Sequence, residues 1–220
     1  KHYHHPIVVN NWEATYFGFD EEKLDKLVGA AKGLGIETFV LDDGWFGKRN
    51  NDECSLGDWI VNKDKLPNGL QGVADICKKN GLKFGLWFEP EMISIDSDLY
   101  RAHHDYAIAL KGREHLHSRC QMVLDLSRKE VCDYVIKAMS DVIDNVDISY
   151  IKWDFNRNIT ETYNKQLAHK YVLGLYYILE TLTAKYPNII IEGCSGGGGR
   201  FDPAMLYYTP QIWTSDDSDA

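Results

Sequence analysis

Three features that would place the chain in a special class are scarce or missing. No apolar run approaches the roughly 20 residues that a membrane-spanning helix needs. The five cysteines are scattered without a Cys-x-x-Cys pair, which favours reduced thiols over a disulfide framework or a zinc site. Basic residues are also fewer than acidic ones, 24 Lys and Arg against 33 Asp and Glu. The net charge of -9 argues against nucleic acid or an anionic membrane surface as a partner, and neutral substrates suit the chain better.

The length and the ends bear on domain organisation. A chain of 220 residues is enough for one large α/β domain with a sizeable core. It starts at Lys1 without a methionine and stops at Ala220, shortly after an apolar run. We therefore expect a piece of a longer protein, in which a targeting signal cannot be assessed. We predict a cytoplasmic location for that protein.

Short apolar runs that end in polar residues alternate with helical segments along the chain. We predict seven strands, which lie at 6–12, 38–45, 83–90, 122–126, within 149–157, at 188–195 and at 211–217. Between them, Asp20 predicts the cap of one helix, and the segment 127–130 predicts a capping box for another. A long helix is predicted from about residue 164 to residue 185.

This alternation predicts parallel strands with right-handed crossovers. A doubly wound sheet should show a phosphate-binding glycine turn after its first strand, but that strand ends in Asn10-Asn11-Trp12. We therefore predict a (β/α)8 TIM-type barrel. Strands one to seven lie in this chain as one catalytic domain over residues 1–220, and the last βα unit is missing.

Carboxylates and tryptophans dominate the predicted strand ends, where parallel barrels carry their chemistry. These residues are Trp12, Asp42, Asp43, Trp87, Glu89, Asp125, Lys152, Asp154, Asn156, Cys194, Asp216 and Asp217. Two carboxylates that flank a glycosidic bond are the minimum for its hydrolysis. Asp154 is the first candidate, because Lys152 on the same strand face can keep a buried carboxylate ionised. The competing interpretation is that each strand-end Asp caps the following helix.

Three other places in the sequence could carry different chemistry: a metal site, a cysteine nucleophile or a phosphate-binding loop. Glu89 and Glu91 could bind a metal with His103 or His104, but no histidine lies at ligand spacing to these acids. Cys194 could be a nucleophile, although no histidine partner is evident. The glycine run 196–199 resembles a phosphate cradle but lacks the Lys-Ser/Thr of a P-loop, so close approach of backbone to a substrate is the favoured interpretation.

Five motifs, taken together and in order, resemble the α-galactosidases of glycoside hydrolase family 36. They are Leu-Asp-Asp-Gly-Trp-Phe (41–46), Trp-Phe-Glu-Pro-Glu-Met (87–92), Tyr-Ile-Lys-Trp-Asp-Phe-Asn-Arg (150–157), Cys-Ser-Gly-Gly-Gly-Gly-Arg (194–200) and Trp-Thr-Ser-Asp-Asp (213–217). The resemblance implies a retaining mechanism, with Asp154 as nucleophile and Asp216 as general acid/base. It implies that Asp42 and Asp43 hold galactose hydroxyls O4 and O6. The other residues predicted to bind substrate are Trp12, Trp87, Arg119, Lys152, Asn156, Cys194 and Gly197.

The resemblance also implies the setting of the reaction. The substrates are α-galactoside oligosaccharides such as melibiose and raffinose, with no metal or organic cofactor. The parent is a homo-oligomer, a tetramer by the family pattern, with β-rich domains on both sides of the barrel. Three alternatives remain open: a galactosyl transferase of the raffinose-synthase type, a non-catalytic sugar-binding module, and a sugar-phosphate enzyme that uses the glycine run.

Overall fold

The structure is a computed structural model that describes residues 4–116 and 118–217. Its strands are β1 (Val8–Asn10), β2 (Thr38–Leu41), β3 (Lys83–Phe88), β4 (Met92–Ile93), β5 (Met122–Val123), β6 (Tyr150–Trp153), β7 (Ile190–Gly193) and β8 (Gln211–Ile212). Its helices are α1 (Trp12–Thr15), α2 (Glu21–Lys32), α3 (Gly69–Lys79), α4 (Asp98–Ala102), α5 (Lys129–Ile143), α6 (Leu167–Lys185) and α7 (Pro203–Tyr208). A 3-10 turn covers His104–Tyr106.

Six strands form one parallel sheet in the order β1-β2-β3-β6-β7-β8. The sheet curls, as shown by a contact between its two edges: the side-chain amide of Gln211 in β8 donates a hydrogen bond to the carbonyl of Pro6, just before β1, at 3.4 Å. Two edges of one sheet that approach each other in this way fit part of a TIM-type barrel. All of the polar strand ends therefore meet at one face.

The predicted fourth barrel strand, 122–126, is wrong. Met122–Val123 pairs antiparallel with Met92–Ile93 in a separate two-stranded sheet, and β3 pairs directly with β6. The segment is apolar because it is buried above the carboxyl end of the barrel sheet, not because it belongs to that sheet. The chain thus supplies six barrel strands instead of the seven predicted, and an eight-stranded barrel would need two more.

Of the two predicted helix caps, the one at Asp20 is confirmed and the capping box at 127–130 is wrong. The carboxylate of Asp20 accepts a hydrogen bond from the backbone N–H of Lys23 at 2.8 Å, so it caps α2 as predicted. The capping box before α5 does not form. The hydroxyl of Ser127 donates to Asp125 at 2.6 Å instead, and Arg128 occupies the N-cap position without a side-chain bond.

An aromatic layer lies beneath the polar face of the sheet. It consists of Trp45, Phe46, Trp59, Trp87 and Phe88, all buried, with neighbouring ring centroids 4.5–6.3 Å apart. The indole N–H of Trp45 donates to the carbonyl of Trp87 at 2.9 Å, which satisfies its polar atom. The layer gives the residues above it a rigid floor. In the part of the chain described, no helix is long and apolar enough to cross a membrane.

Candidate active site

A cavity of about 390 Å³ opens at the carboxyl ends of the sheet strands. That volume lies in the usual range of small-molecule sites. Its walls are formed by Trp12, Glu13, Tyr16, Phe17, Asp42, Asp43, Arg49, Asp52, Trp87, Glu89, Arg119, Gln121, Lys152, Asp154, Asn156, Trp213 and Asp216. The segments that follow β1, β2, β3, β6 and β8 all contribute, as expected where parallel strands end together.

Asp154 follows β6 directly and is almost fully buried. Its Oδ2 accepts hydrogen bonds from the indole N–H of Trp87 at 3.2 Å and from the amide of Asn156 at 2.6 Å. Its Oδ1 accepts one from the backbone N–H of Phe155 at 2.8 Å. The next helix begins only at Leu167, so the helix-capping interpretation is wrong for Asp154. Three N–H donors fix the orientation of this carboxylate inside the cavity.

Lys152 pairs with Asp42 and not with Asp154. Its ammonium lies 2.8 Å from Asp42 Oδ2, and the two side chains are only 6% and 5% exposed. Burial lowers the pKa of Lys152, but the carboxylates of Asp42 and Asp154 outweigh it and raise that pKa above its ordinary value. Asp42 is held from behind as well, because its backbone N–H donates to the side chain of Asn11 at 2.8 Å. A charged lysine therefore lies between the two aspartates.

Asp43 forms the second buried ion pair, with Arg49. The guanidinium grips both carboxylate oxygens, Nε to Oδ1 at 3.0 Å and Nη2 to Oδ2 at 2.9 Å. Burial raises the pKa of Asp43, although Arg49 opposes that shift. The next helix after Asp42 and Asp43 begins at Gly69, so neither of them caps a helix. The sequence analysis did not identify Arg49 as a site residue. The long charged loop around it, residues 48–53, was the signal that could have pointed to it.

Glu89 is a further buried acid, which the sequence placed at a strand end without a catalytic or substrate-binding role. Its Oε1 accepts hydrogen bonds from the backbone N–H of Asn156 at 2.5 Å and from the side chain of Gln121 at 2.7 Å. Burial first, and then the nearby Asp154, raise the pKa of Glu89 to about 8. The acid is therefore mostly protonated at neutral pH and adds little negative charge beside Asp154.

The partners of Glu91 bear on the metal alternative. Its carboxylate accepts hydrogen bonds from the indole of Trp153 at 2.9 Å, the hydroxyl of Tyr171 at 2.6 Å and the guanidinium of Arg200 at 2.7 Å. His103 stacks on the ring of Tyr106 instead of approaching these acids. Within residues 4–116 and 118–217, no group of three acids, histidines or cysteines is placed to hold a metal.

Cys194 and Gly197 are the two predicted site residues that do not line the cavity. Cys194 is buried, and burial together with the Asp154 carboxylate raises the pKa of its thiol far above the ordinary range. Such a thiol stays protonated, which speaks against a nucleophilic role. Gly197 packs against the backbone of Ser215 and Asp216, so it lies behind the cavity wall.

The rim of the cavity carries aromatic and charged groups. Trp12 opens α1 and packs edge-on against Tyr16. Arg119 occupies a turn in which it and Cys120 both have left-handed backbone, with φ of 53° and 57°. Trp213, which was not singled out from the sequence, places its ring 4.5 Å from the ammonium of Lys152.

Asp216 lies at the mouth of the cavity and is exposed, whereas Asp154 lies at its floor and is buried. Among its acids, the cavity therefore holds the oriented, buried carboxylate of Asp154 and the accessible carboxylate of Asp216. An arrangement of this kind can attack a bound group from one side and exchange a proton at the entrance. Trp12, Trp87 and Trp213 offer indole rings to the same space, which suits a ligand with flat apolar faces and many hydroxyls.

The whole chain, residues 1–220, matches the family model described as Melibiase. The α-galactosidase AgaA of Geobacillus stearothermophilus is 54% identical over 223 residues, and the α-galactosidase Mel36A of Lactobacillus acidophilus is 55% identical over 223 residues. Each match covers 98% of this chain, but only 31% and 30% of the relatives. The chain thus spans less than a third of the curated relatives it matches.

Solved structures give the same answer at the level of the fold. The GH36 α-galactosidase AgaA from Geobacillus stearothermophilus has a TM-score of 0.95 at 53% identity, covering 98% of this chain and 31% of its own. Variants of AgaA have been solved in complex with raffinose and with stachyose, both with a TM-score of 0.95. A further variant has been solved with 1-deoxygalactonojirimycin.

Proposed function

Because the chain belongs to the melibiase family, as its motifs predicted, we propose that it carries the catalytic centre of a retaining α-galactosidase. The activity belongs to the whole protein that contains this chain. Its reaction is the release of terminal α-linked galactose from oligosaccharides such as melibiose and raffinose. The observation that carries the proposal is that Asp154 and Asp216, from different strand ends, line one cavity with Asp42 and Asp43.

In the proposed mechanism, Asp154 attacks the anomeric carbon while Asp216 protonates the departing glycosidic oxygen. The C–O bond to the leaving group breaks, and a galactosyl ester forms on Asp154. Asp216 then takes a proton from a water molecule whose oxygen attacks the anomeric carbon and breaks the ester bond to Asp154. Galactose leaves, Asp154 returns as a carboxylate and Asp216 as an acid. The burial and three hydrogen bonds of Asp154 suit a fixed nucleophile, and the exposure of Asp216 suits a group that exchanges protons with water.

The charge of the cavity supports a neutral sugar as substrate. Besides Glu89, which is mostly protonated, six acids line it (Glu13, Asp42, Asp43, Asp52, Asp154 and Asp216) against three bases (Arg49, Arg119 and Lys152). Such a lining disfavours a phosphate group, which weakens the sugar-phosphate alternative. Asp42 and Asp43, both placed by buried ion pairs, are the proposed ligands of galactose hydroxyls. Variants of the relative AgaA solved with raffinose and with stachyose support α-galactoside oligosaccharides as the substrate class.

The remaining features of the whole protein are also proposals. We propose that parts of the protein outside this chain complete the TIM-type barrel around this sheet, as the predicted missing last βα unit requires. The flanking β domains, the homotetramer and the cytoplasmic location of the whole protein remain predictions. The shares of 31% and 30% that the chain covers in two relatives leave ample length for such parts.

Azide rescue tests the two catalytic roles in the full-length protein. Asp154→Ala should abolish turnover of p-nitrophenyl α-galactoside, and azide should restore cleavage with formation of β-galactosyl azide. Asp216→Ala should keep most of its kcat/KM on this activated substrate, while kcat falls because no base activates water, and azide should restore kcat and give the α-galactosyl azide. Exchange of the two products between the variants would refute the assignment.

Two controls separate the alternatives. The p-nitrophenyl β-galactoside should not be cleaved. Wild-type protein incubated with raffinose should release free galactose in molar equality with sucrose. A shortfall of galactose with longer oligosaccharides formed would indicate a transferase instead. Binding of raffinose without any cleavage would indicate a non-catalytic sugar-binding module.

A further inference from the structure

The glycine-rich loop, defined as Ser195–Arg200, is tied to the segment that carries Asp154. The hydroxyl of Ser195 donates to the carbonyl of Phe155 at 3.0 Å, which fixes the start of the loop. At the other end, the guanidinium carbon of Arg200 lies 4.2 Å from the centroid of the Phe155 ring. Both ends of the loop therefore rest on the residue that follows Asp154.

A buried carboxylate holds the Arg200 end in place. Glu91 is completely buried and accepts two hydrogen bonds from Arg200, at 2.7 and 3.2 Å. The same carboxylate accepts the indole N–H of Trp153, the residue before Asp154, at 2.9 Å. Because Glu91 bonds to both, it joins the glycine-rich loop to the end of β6. A bidentate pair in a buried site is geometrically restrictive.

The middle of the loop contacts the segment that carries Asp216. The backbone N–H of Gly198 donates to the carbonyl of Thr214 at 3.1 Å. Gly197 has a φ of +81°, and a Cβ on it would lie 2.9 Å from the Cα of Ser215 and 3.2 Å from the backbone nitrogen of Asp216. Only a glycine lets the two backbones come this close. The Asp216 segment is thus seated directly on the loop.

We propose that the glycine-rich loop is a positioning element that sets the place of Asp216 relative to Asp154. The inference rests on the proposed function, in which Asp216 protonates the leaving group. Proton transfer requires heavy atoms within about 2.6–3.2 Å of each other. A misplacement of about 1 Å can cost about 100-fold in rate. The loop therefore acts on the acid step through the backbone at Ser215 and Asp216.

Gly197→Ala is the test, with Gly196→Ala as its matched control. Both glycines have positive φ, +81° and +54°, so both substitutions place an alanine in a backbone conformation that favours glycine. A Cβ on Gly196, however, meets nothing within 4 Å. The quantity to compare is kcat/KM for melibiose, whose leaving sugar needs protonation, against kcat/KM for p-nitrophenyl α-galactoside, whose leaving group does not.

In the full-length protein, Gly197→Ala should lower kcat/KM for melibiose about 100-fold and affect the nitrophenyl substrate far less. Gly196→Ala should keep the wild-type ratio of the two values. Equal losses on both substrates would overturn the inference, since a merely structural defect has no reason to depend on the leaving group. Failure of the wild type to cleave either substrate would instead refute the proposed function, and this inference with it.

Arg200→Lys keeps the test decisive if Gly197→Ala does not fold. Lysine retains the positive charge near Glu91 but cannot form the bidentate pair. We expect the same preferential loss on melibiose, in smaller measure. The control is Arg157→Lys, since Arg157 is also buried and pairs with Glu161, but its hydrogen bonds go to Leu116, Thr160 and Glu161 and not to Glu91 or the glycine-rich loop. An unchanged substrate ratio in Arg200→Lys would overturn the inference.

Discussion

Buried ion pairs decide how single residues of the cavity behave. Lys152 holds Asp42, and Arg49 holds Asp43, each at 2.8–2.9 Å and almost without solvent. In such surroundings a charge-assisted hydrogen bond contributes roughly 1.5–3 kcal/mol, and removal of one partner leaves the other uncompensated. The four residues are therefore expected to respond strongly to changes that keep their shape but alter their charge.

Asp42→Asn and Asp43→Asn should each lower kcat/KM on α-galactosides by about 10- to 100-fold, at the usual 1.4 kcal/mol per decade. Each change weakens a charge-assisted bond to a sugar hydroxyl and disturbs a buried pair. Steady-state kinetics on p-nitrophenyl α-galactoside measures the effect. Asp25→Asn is the control, because Asp25 forms a loose surface pair with Lys79 at 3.7 Å and should matter little. Wild-type kinetics in both cavity variants would mean that the pair is purely structural.

Glu89 should make stability depend on pH in a direction that is unusual for an acid. Its pKa is raised to about 8 by burial, so the folded state holds a proton that the unfolded state has lost. Stability from this group is therefore lost as the pH rises from about 4.5 to about 8. Glu89→Gln removes the titration, and its Tm relative to wild type should increase with pH across that window.

Thermal unfolding at several pH values checks this expectation. The window follows from the pKa of the unfolded acid at its lower end and that of the folded acid at its upper end. The difference should amount to a few kcal/mol at most, given about 1.4 kcal/mol per pKa unit. Glu13→Gln provides a comparison, since Glu13 lines the same cavity but is exposed. A constant Tm difference between Glu89→Gln and wild type would contradict the protonated state.

At the level of secondary-structure elements, close backbone packing sets the position of α6. Gly174 lies in this helix, and a Cβ added to it would lie 1.8 Å from the carbonyl oxygen of Leu126. Glycine normally weakens a helix by about 1 kcal/mol relative to alanine. Here the contact with the segment before α5 outweighs that cost, because no side chain fits.

Gly174→Ala should therefore lower the Tm, while Gly29→Ala should raise it. Gly29 lies in α2, is exposed, and a Cβ on it would come no closer than 4.0 Å to another atom. Its replacement should stabilise by about 0.4–1 kcal/mol through helix propensity. Differential scanning fluorimetry of the two variants measures both shifts. Destabilisation by both changes would show that helix packing, and not the Leu126 contact, governs the effect.

Local sequence was sufficient for most elements and for much of the site. Asp20 caps α2 as predicted. The polar residues after β2 and β6 do face one cavity, because a buried strand that ends in Asp shows which end of the strand lies at the cavity. The segment 122–126 was mistaken for a barrel strand, since an apolar run reports burial but not the partner of a strand. Ser127 shows the same limit, because its hydroxyl donates a hydrogen bond to Asp125 and not to the N-terminus of α5.

The missed site residues share a physical reason. Arg49 and Gln121 come from loops, and their partners Asp43 and Glu89 lie on separate strand ends. Nothing in the local pattern of a loop states which buried acid it will meet. Lys152 was predicted beside Asp154 from their spacing along one strand, yet its ion pair is made to Asp42 across the sheet. Pairings across the sheet become visible only once strand order is known.

For the whole molecule, the excess of acid extends from the net charge of -9 into the cavity. Inorganic phosphate at millimolar concentration should therefore not inhibit cleavage of a neutral galactoside. Kinetics with added phosphate, compared with chloride at equal ionic strength, measures this. Competitive inhibition by phosphate alone would favour the sugar-phosphate alternative, with the glycine run as its binding site.

Because of the hydrogen bond between Trp87 and Asp154, the intrinsic fluorescence of the protein can report on the state of the cavity. The indole of Trp87 touches the proposed nucleophile at 3.2 Å, and Trp12 and Trp213 line the same cavity. Indole emission shifts with the polarity and charge around the ring, so a ligand that displaces water there changes the colour and intensity of the light. Titration with an unlabelled sugar, followed by tryptophan fluorescence, would then read out occupancy directly, even in a variant that no longer turns over.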